Sequence, residues 1–256
     1  MRRFGWQTPV DILKPRILLL PALVLLVSVL ITAPARVVAV LLPETAQLSG
    51  FTGTLWDGSA ARGTLRVAGQ VVSLGRVNWR IHPWSVLGLR PRVELTSEWG
   101  GQRLRAVLRY AGPRSLGIEA LRAQFDVRFI RQVVPLYVGG LIRLDFSDLD
   151  LQDGTFQSGG GEMVWQDAVW TANTGDVALG DYSLVLEAVR GELSGRVETL
   201  RGPLQVAGEL QLSGNRYSVN LALSGPATAN QGLGDALKLL AQPSATGFDM
   251  VMSGEI

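Results

Sequence analysis

A long apolar run near the N terminus constrains this chain more than any other feature. Residues 17–35 read ILLLPALVLLVSVLITAPA, nineteen residues without a charge between Arg16 and Arg36. A helix needs ~20 apolar residues to cross the hydrocarbon core of a bilayer. The run therefore predicts one transmembrane helix over residues 17–35, which separates a short segment, 1–16, from a large region, 36–256.

The charges around this run predict its orientation. Arg2, Arg3, Lys14 and Arg16 precede it, against a single acid, Asp11. Basic residues that flank a membrane span stay in the cytoplasm. Residues 1–16 are therefore predicted to be cytoplasmic, and the region after the span is predicted to lie outside the cytoplasm.

A cleavable signal peptide is the alternative for the same residues. Ala33-Pro34-Ala35 has the A-x-A form of a cleavage site. The run is longer than the 7–15 residues of a signal-peptide core, however, and apolar character resumes after Arg36 with VVAVLL. We favour a retained anchor and keep cleavage as the alternative.

The region after the run has the pattern of antiparallel β-structure. Apolar and polar residues alternate over residues 76–81, 92–96 and 103–109, the period of half-buried strands. Gly100-Gly101 and Gly214-Asn215 lie between such stretches, where turns are expected. The sequence predicts a mainly β fold, with one large curved antiparallel sheet of ten or more strands that ends in a strand at FDMVMSGE.

Two or three short helices are predicted beside this sheet. HPWSVLGL, residues 82–89, follows a strand. Asp126 can cap a helix that runs to Val134, before Pro135, and Asp235 can cap ALKLLA. GTLWDGSA at 53–60 and GEMVWQDAVW at 161–170 each open a series of strands that reaches a helix. This echo predicts two repeated halves, about 50–135 and 136–256.

Charge is distributed unevenly along the chain. Residues 44–135 hold 13 arginines and six acids, a net charge of +7, whereas residues 136–256 hold six basic and 15 acidic groups, a net charge of −9. This balance does not favour nucleic-acid binding, which requires a concentrated basic surface. Two halves that attract each other explain the pattern most simply. A basic half that contacts anionic lipid headgroups is the alternative.

The chain offers little material for catalysis. His82 is its one histidine and lies before a proline, where an exposed turn residue is expected, and the chain has no cysteine. A catalytic triad with spare candidates, a thiol nucleophile and a histidine-rich metal site are therefore all disfavoured. The sequence predicts no catalytic residue and no cofactor, hence a protein that is not an enzyme.

An acidic stretch, DFSDLDLQDG, is the best candidate for a metal site. Its carboxylates are Asp145, Asp148, Asp150 and Asp153, and clustered oxygen ligands suit calcium. Asp148, Asp150 and Asp153 are the weak metal candidates, because their spacing does not match a calcium-binding loop. A strand with a bulge at residues 147–148 and its acids in water is the simpler interpretation.

The motifs in their order resemble the type II secretion system protein N family. The resemblance rests on GTLWDGSA, VNWRIHP (77–83), GGLIRLDF (139–146), GEMVWQDA (161–168), LGDY (179–182) and an F-x-x-x-x-S-G-x ending. The positions that carry it, for which structural roles are expected, are Gly53, Leu55, Trp56, Gly58, Trp79, Pro83, Gly140, Trp165, Ala168 and Gly180.

The resemblance implies a single-pass protein of the inner membrane of Gram-negative bacteria with a periplasmic β-rich domain. It implies an accessory role in the machine that exports folded proteins across the outer membrane, with other secretion subunits and the membrane as partners. It supplies no catalytic residues. A second hypothesis is a lipid-binding module, because a β-rich domain on one helix also looks like AsmA-type proteins, whose curved sheets offer apolar grooves to lipids.

Overall fold

The structure, a computed structural model, describes residues 21, 24–25, 28–67, 70–112, 114–128, 137–153, 155–172 and 175–255. The predicted span over residues 17–35 thus falls partly outside the described residues; within it, residues 28–31 are helical. Across the described part of the chain, no helix has both the length and the apolar character that crossing a membrane requires.

The described chain forms one antiparallel sheet of 14 strands. The strands are β1 Ala46–Gly53, β2 Asp57–Val67, β3 Gln70–Ile81, β4 Arg92–Trp99, β5 Gln102–Gly112, β6 Ser115–Asp126, β7 Val138–Gln152, β8 Thr155–Ala172, β9 Gly175–Val189, β10 Glu192–Arg201, β11 Gln205–Ser213, β12 Arg216–Ser224, β13 Gln242–Pro243 and β14 Gly247–Glu255. Their spatial order follows the sequence up to β12, after which β14 and then β13 complete the sheet. The predicted mainly β fold with one large antiparallel sheet is confirmed.

The register separates the sheet into an apolar face and a polar face. Residues opposite each other on antiparallel strands project to the same side. One row of opposed residues crosses 13 strands and contains no polar side chain: Gly53, Gly58, Trp79, Leu95, Ala106, Leu121, Phe146, Gly161, Leu186, Gly195, Leu210, Val219 and Met252. The period-2 alternation in the sequence therefore becomes a continuous apolar face.

Successive turns alternate between the two ends of the sheet. We call the end that carries the β1–β2 and β3–β4 connections the proximal end, and the end that carries the β2–β3 and β4–β5 connections the distal end. Residues 28–34 meet the sheet at the proximal end, where Pro34 bridges to Thr54. An 11-residue strand such as β2 separates the two ends by roughly 35 Å.

Short helices cover the apolar face at two places. The 3-10 helix Ala35–Val37 and α1 (Val38–Leu41) lie beside β1–β3, where Ala35 packs with Ala60 and Trp79. A second 3-10 helix, Pro226–Ala229, precedes α3 (Gln231–Leu240), and the buried Leu233 and Leu237 of α3 belong to a second core. The remaining short helix, α2 (Pro83–Leu87), buries none of its residues.

The predicted helix after Asp126 is only partly testable. The Asp126 carboxylate accepts a hydrogen bond from the backbone N–H of Arg128 at 2.8 Å, as a helix-capping residue does. Residues 127–128 are in a 3-10 turn, and residues 129–136 lie outside the described part of the chain.

The start of α3 differs from the predicted one. Asn230, not Asp235, is the N-cap, because its side-chain oxygen accepts a hydrogen bond from the Leu233 N–H at 3.1 Å. Asp235 lies inside the helix and pairs with Lys238, three residues later, at 2.9 Å. Both residue types favour N-caps. The helix starts at the earlier residue because Leu233 and Gly234, which follow Asn230, are buried against the sheet.

This arrangement predicts unequal effects for two substitutions. Asn230→Ala removes the cap and is expected to lower the free energy of unfolding by about 1 kcal/mol. Asp235→Ala removes only an exposed ion pair and is expected to change it by less than about 0.5 kcal/mol. Urea unfolding of the two full-length variants measures the difference, and a larger loss for Asp235→Ala would contradict the assigned cap.

The acidic stretch is a bulged strand. The register between β7 and β8 shifts between Ser147 and Asp150, and Asp148 has a left-handed backbone with φ of +52°. The predicted bulge at residues 147–148 is therefore confirmed. Its effect is to return Leu149 to the apolar face, where the side chain is buried.

The basic and acidic halves meet along the β6–β7 pairing. Because strand order follows sequence, β2–β6 carry the excess of arginine and β7–β14 the excess of acid. Three ion pairs bridge the boundary: Arg109 with Asp150, Arg114 with Asp153, and Arg122 with Asp145. The halves thus lie side by side and attract each other at one seam, while the rest of the charge separation persists across the sheet.

Candidate functional site

A tryptophan at the proximal end holds the β1–β2 connection in place. The Trp79 side chain is 4% exposed and donates its indole N–H to the Leu55 carbonyl oxygen at 3.0 Å. Gly58 lies opposite Trp79, and a Cβ at position 58 would approach the indole ring to 2.6 Å. The Phe51 ring packs edge-on against the same indole, with the two ring centroids 6.2 Å apart. Glycine at 58 is therefore required for the close seat of the tryptophan. We call Leu55, Gly58 and Trp79 the proximal clamp.

The proximal clamp in turn holds the segment that precedes the sheet. The backbone N–H of Leu55 donates to the Ala33 carbonyl oxygen at 2.8 Å, and the Trp56 indole N–H donates to the Leu30 carbonyl oxygen at 2.8 Å. The Trp56 carbonyl oxygen accepts from the Ile81 N–H at 2.7 Å. The end of the helical segment 28–31 is thereby bonded to the sheet through backbone carbonyls.

A second tryptophan makes the same kind of contact at the distal end. Trp165 donates its indole N–H to the Gly139 carbonyl oxygen at 3.1 Å. A Cβ at Gly140 would lie 2.6 Å from the indole nitrogen and 2.6 Å from the Gln166 carbonyl oxygen. The ring also packs on Tyr182 with centroids 5.8 Å apart. Each tryptophan is thus paired with a glycine whose missing side chain makes room for it. We call Gly139, Gly140 and Trp165 the distal clamp.

A buried carboxylate lies beside the distal clamp. Asp181, whose side chain is 10% exposed, accepts a hydrogen bond from the Asp167 backbone N–H at 2.8 Å and another from the Arg201 guanidinium. The Asp167 N–H first, and Arg201 next, lower the pKa of Asp181 below its usual value. The bonds fix the irregular stretch of β8 in which Ala168, opposite Gly180, is buried.

Tyr182 completes this polar group. Its hydroxyl donates to the Leu204 carbonyl oxygen at 3.0 Å, and burial, with a smaller contribution from Asp181, raises the pKa of Tyr182 to about 12. Asp181 and Tyr182 are both bonded to neighbouring strands within the protein. Their contacts are those of residues that fix the turn geometry at the distal end.

The lowered pKa of Asp181 predicts a pH dependence of stability. A carboxyl group with a lower pKa in the folded state stabilises the protein above its unfolded-state pKa, and this contribution is lost as pH falls through the folded pKa. We therefore expect Asp181→Asn to destabilise the chain at pH 7 and the difference from the native chain to shrink steadily below about pH 4. Urea unfolding at a series of pH values measures it.

The control for this prediction is an exposed aspartate on the same strand. Asp176→Asn is expected to change the free energy of unfolding by less than about 0.5 kcal/mol at every pH. A loss that is independent of pH for Asp181→Asn would contradict the role of its charge and leave only a packing effect.

The remaining candidates lie apart from the two clamps. Pro83 is the first residue of α2, where a missing N–H does not matter. His82 precedes it, is partly exposed and bonds through Nε2 to Glu94 Oε1 at 2.9 Å. This hydrogen bond is the main reason that the pKa of Glu94 lies below its usual value.

Two of the three weak metal candidates in and after β7 form ion pairs with neighbouring arginines. Asp150 contacts Arg109 at 3.5 Å and Asp153 contacts Arg114 at 3.5 Å, while Asp148 is exposed at the bulge. Within the described ranges, no group of three or more histidine or acidic side chains converges as a metal would require.

The structure thus divides the predicted motif positions into two groups. Gly53, Leu55, Trp56, Gly58 and Trp79 come together at the proximal end, and Gly140, Trp165, Ala168 and Gly180 at the distal end. The sequence reasoning missed Asp181, Tyr182 and Arg201. A signal was present, since LGDY contains two of them, but the partner Arg201 lies one strand away and only the register reveals it.

Comparison with known proteins agrees with these motifs. The sequence model of a family described as "Type II secretion system (T2SS), protein N" matches residues 44–250. The chain is 29% identical to the type II secretion system protein N of Aeromonas hydrophila over 223 residues, 84% of this chain and 86% of that protein. It is 28% identical to the protein of the same name from Vibrio cholerae serotype O1 over 246 residues, 90% and 93% of the two chains.

No solved structure matches the chain significantly. The family match includes both clamps and extends through α3 into β14. The chain belongs to the type II secretion system protein N family.

Proposed function

We propose that the chain is a non-catalytic accessory component of the type II secretion system, anchored in the inner membrane by residues 17–35 with its sheet in the periplasm. The observation that carries the proposal is the family match across 44–250 together with the bonds that fix residues 30–33 to the proximal clamp. Those bonds fit a chain that leaves the membrane and enters the sheet without a flexible linker.

The N-terminal charges support this orientation. Arg2, Arg3, Lys14 and Arg16 precede the apolar run, and basic flanks stay in the cytoplasm. Cleavage after Ala35 would remove the Leu30 and Ala33 carbonyls, which accept hydrogen bonds from Trp56 and Leu55. The contact therefore favours retention of the segment.

The polar groups of the described sheet support a role without catalysis. His82 has Glu94 as its side-chain partner, and both side chains are about 40% exposed. Asp181 is bound by Arg201 and by the Asp167 backbone N–H, and the Asp167 carboxylate lies 3.7 Å from the same guanidinium. Neither pair combines a nucleophile, a proton acceptor and a cleft that excludes water, which nucleophilic catalysis needs.

An open strand edge supports a role in assembly. β13 pairs with β14 at Phe248 and Asp249, and among the described residues no strand continues along Met250–Gly254 on that side. Strand edges without charge are templates for strand addition by another chain. We infer that this edge of β14 receives an extended segment of another secretion subunit.

Site-specific photocrosslinking in cells tests this assembly role. A photoreactive amino acid at Val251, an exposed residue of β14, is expected to capture another secretion subunit. The matched control is Val185, which is also exposed on the polar face but lies on the central strand β9. Equal capture from both positions, or capture of phospholipid alone, would contradict the proposed edge contact.

A segment exchange tests the anchor separately. Residues 17–27 are replaced by an unrelated transmembrane sequence while residues 28–35 are kept, so that the Leu30 and Ala33 contacts survive. Secretion is expected to be retained, and to be lost when residues 1–35 are replaced by a cleaved signal peptide. Normal secretion by the cleaved form would contradict the need for an anchor.

A further inference from the structure

The connection between β3 and β4 exposes three large apolar side chains. Trp84 is 83% exposed, Leu87 is 75% exposed and Leu89 is 86% exposed. We call these three residues the β3–β4 loop patch. Single exposed apolar residues are ordinary, but three within six positions of one loop indicate a surface that contacts something else.

Folding of the loop does not explain the patch. The helix α2 buries none of its residues, so Trp84 and Leu87 add nothing to the core. Leu89 has φ of +55°, a left-handed backbone that glycine or asparagine would adopt with less strain. A bulky leucine in that conformation, with its side chain in solvent, costs stability without any return from packing.

The loop is nevertheless held in a defined shape. The Ser85 hydroxyl donates to the His82 carbonyl oxygen and accepts from the Arg92 N–H at 2.9 Å, and the Arg90 N–H donates to the Ser85 carbonyl oxygen at 3.0 Å. These bonds close the loop around Ser85. The three apolar side chains are therefore presented outward from a fixed turn.

The position of the patch indicates its partner. The loop begins after Ile81, whose N–H bonds to Trp56, and Trp56 bonds to Leu30 of the N-terminal segment. The patch thus lies at the proximal end, where the apolar run 17–35 reaches the sheet. If that run is anchored in a bilayer, the membrane surface faces this end.

Two arginines at the proximal end fit a membrane surface. Arg90 follows Leu89 directly, and Arg36 follows the apolar run; both are exposed, and neither has a carboxylate within 4 Å in the described part of the chain. Tryptophan favours the headgroup level of a bilayer, and arginine favours anionic headgroups. Apolar anchors beside free arginines are the composition of an interfacial membrane contact.

We propose that Trp84, Leu87 and Leu89 insert into the headgroup region of a bilayer that contains anionic phospholipid, with Arg36 and Arg90 on the headgroups. The inference rests on the proposed anchoring by residues 17–35 and adds a second membrane contact. Two attachment points prevent the sheet from rotating freely about the anchor. They hold the proximal end on the membrane and leave the distal end free for partners.

The absence of cysteine from the chain makes a direct test possible. Single variants Leu87→Cys, Leu239→Cys and Val29→Cys of the full-length chain carry an environment-sensitive fluorophore. Each is reconstituted in nanodiscs of phosphatidylethanolamine and phosphatidylglycerol with spin-labelled lipids as quenchers. Leu239 is the matched control, since it is 86% exposed on α3 at the distal end, and Val29 reports on the anchor.

We expect the probe at Leu87 to be quenched several-fold more strongly than the probe at Leu239, and Arg90→Glu to weaken that quenching only when phosphatidylglycerol is present. Equal signals at Leu87 and Leu239 with strong quenching at Val29 would overturn the loop contact and leave the anchor intact. Loss of quenching at Val29 as well would overturn both. Shielding of Leu87 in cells only when other secretion subunits are present would assign the patch to a protein partner and overturn the proposal.

Discussion

Replacement of Trp79 by alanine is expected to lower the free energy of unfolding by about 3–5 kcal/mol, the usual loss for a large buried aromatic side chain. Trp79 is 4% exposed, bonds to the Leu55 carbonyl oxygen and packs against Phe51 and Gly58. Alanine leaves a cavity and an unpaired carbonyl in the β1–β2 connection. Urea unfolding of the full-length chain in a mild detergent measures the loss.

The same substitution is expected to release the N-terminal segment. Leu55 is held by Trp79 on one side and binds Ala33 on the other, so its displacement removes the anchor-side bond. Hydrogen exchange at Leu55 is expected to rise more than exchange at the centre of the sheet. Trp79→Phe keeps most of the packing but leaves the Leu55 carbonyl oxygen without its hydrogen bond. We therefore expect this variant to lower the free energy of unfolding by about 1–3 kcal/mol.

Trp84→Ala is the control for the tryptophan prediction. Trp84 is 83% exposed, so its removal is expected to change the free energy of unfolding by less than about 0.5 kcal/mol. Similar losses for Trp79→Ala and Trp84→Ala would show that the proximal clamp does not stabilise the fold.

Gly140→Ala is expected to lower the free energy of unfolding strongly, because backbone strain and a steric clash coincide at this position. Gly140 has φ of +120°, and an added Cβ would lie 2.6 Å from both the Trp165 indole nitrogen and the Gln166 carbonyl oxygen. Backbone strain of this kind costs about 1–3 kcal/mol, and forced overpacking adds about 1–3 kcal/mol. The indole N–H is also expected to lose its bond to Gly139.

Gly175→Ala separates the two contributions. Gly175 has nearly the same backbone, with φ of +123°, but no atom of the described residues around it lies within 4 Å of an added Cβ. It therefore carries the strain without the clash. We expect the free energy of unfolding to fall further for Gly140→Ala than for Gly175→Ala by about 1–3 kcal/mol. Equal losses would mean that the distal clamp tolerates a side chain and that the close seat of Trp165 is not required.

Several elements of the fold could be predicted because their causes are local. Alternation over residues 76–81 and 92–96 reflects which side chains face the core, and paired glycines such as Gly100-Gly101 supply the backbone that tight turns require. The bulge at residues 147–148 was also predictable, since the apolar period slips by one residue there. Each signal lies within a few residues of the feature that it specifies.

The N-cap of α3 could not be predicted from local sequence. Asn230 and Asp235 are both favourable caps, and the printed sequence gives no reason to prefer the earlier one. Burial of Leu233 and Gly234 against the sheet extended the helix by a turn towards its N terminus. The partnership of Asp181 with Arg201 was missed for the same reason, because it depends on the pairing of β9 with β10.

The motif positions identified the family, but they did not reveal the structural role of each residue. Gly58 and Gly140 could be named from the sequence as characteristic positions, yet nothing in the string indicates that each makes room for an indole on another strand. Likewise, seven tryptophans are visible in the sequence, but among those that the structure describes the exposed fraction of the residue ranges from 4% for Trp79 to 83% for Trp84. Only the fold separates a clamp in the core from a side chain offered to a partner.

The sequence by itself determined the apolar N-terminal run, the antiparallel β character, the main turns and the absence of cysteine chemistry, because composition and short-range periodicity carry that information. Tertiary structure decided the rest. Register placed apolar residues of 13 strands in one row, joined the basic and acidic halves at the β6–β7 seam, and brought Leu30, Trp56 and Ile81 to the same end as the β3–β4 loop patch. These contacts join residues tens of positions apart, and only strand pairing fixes which of them meet.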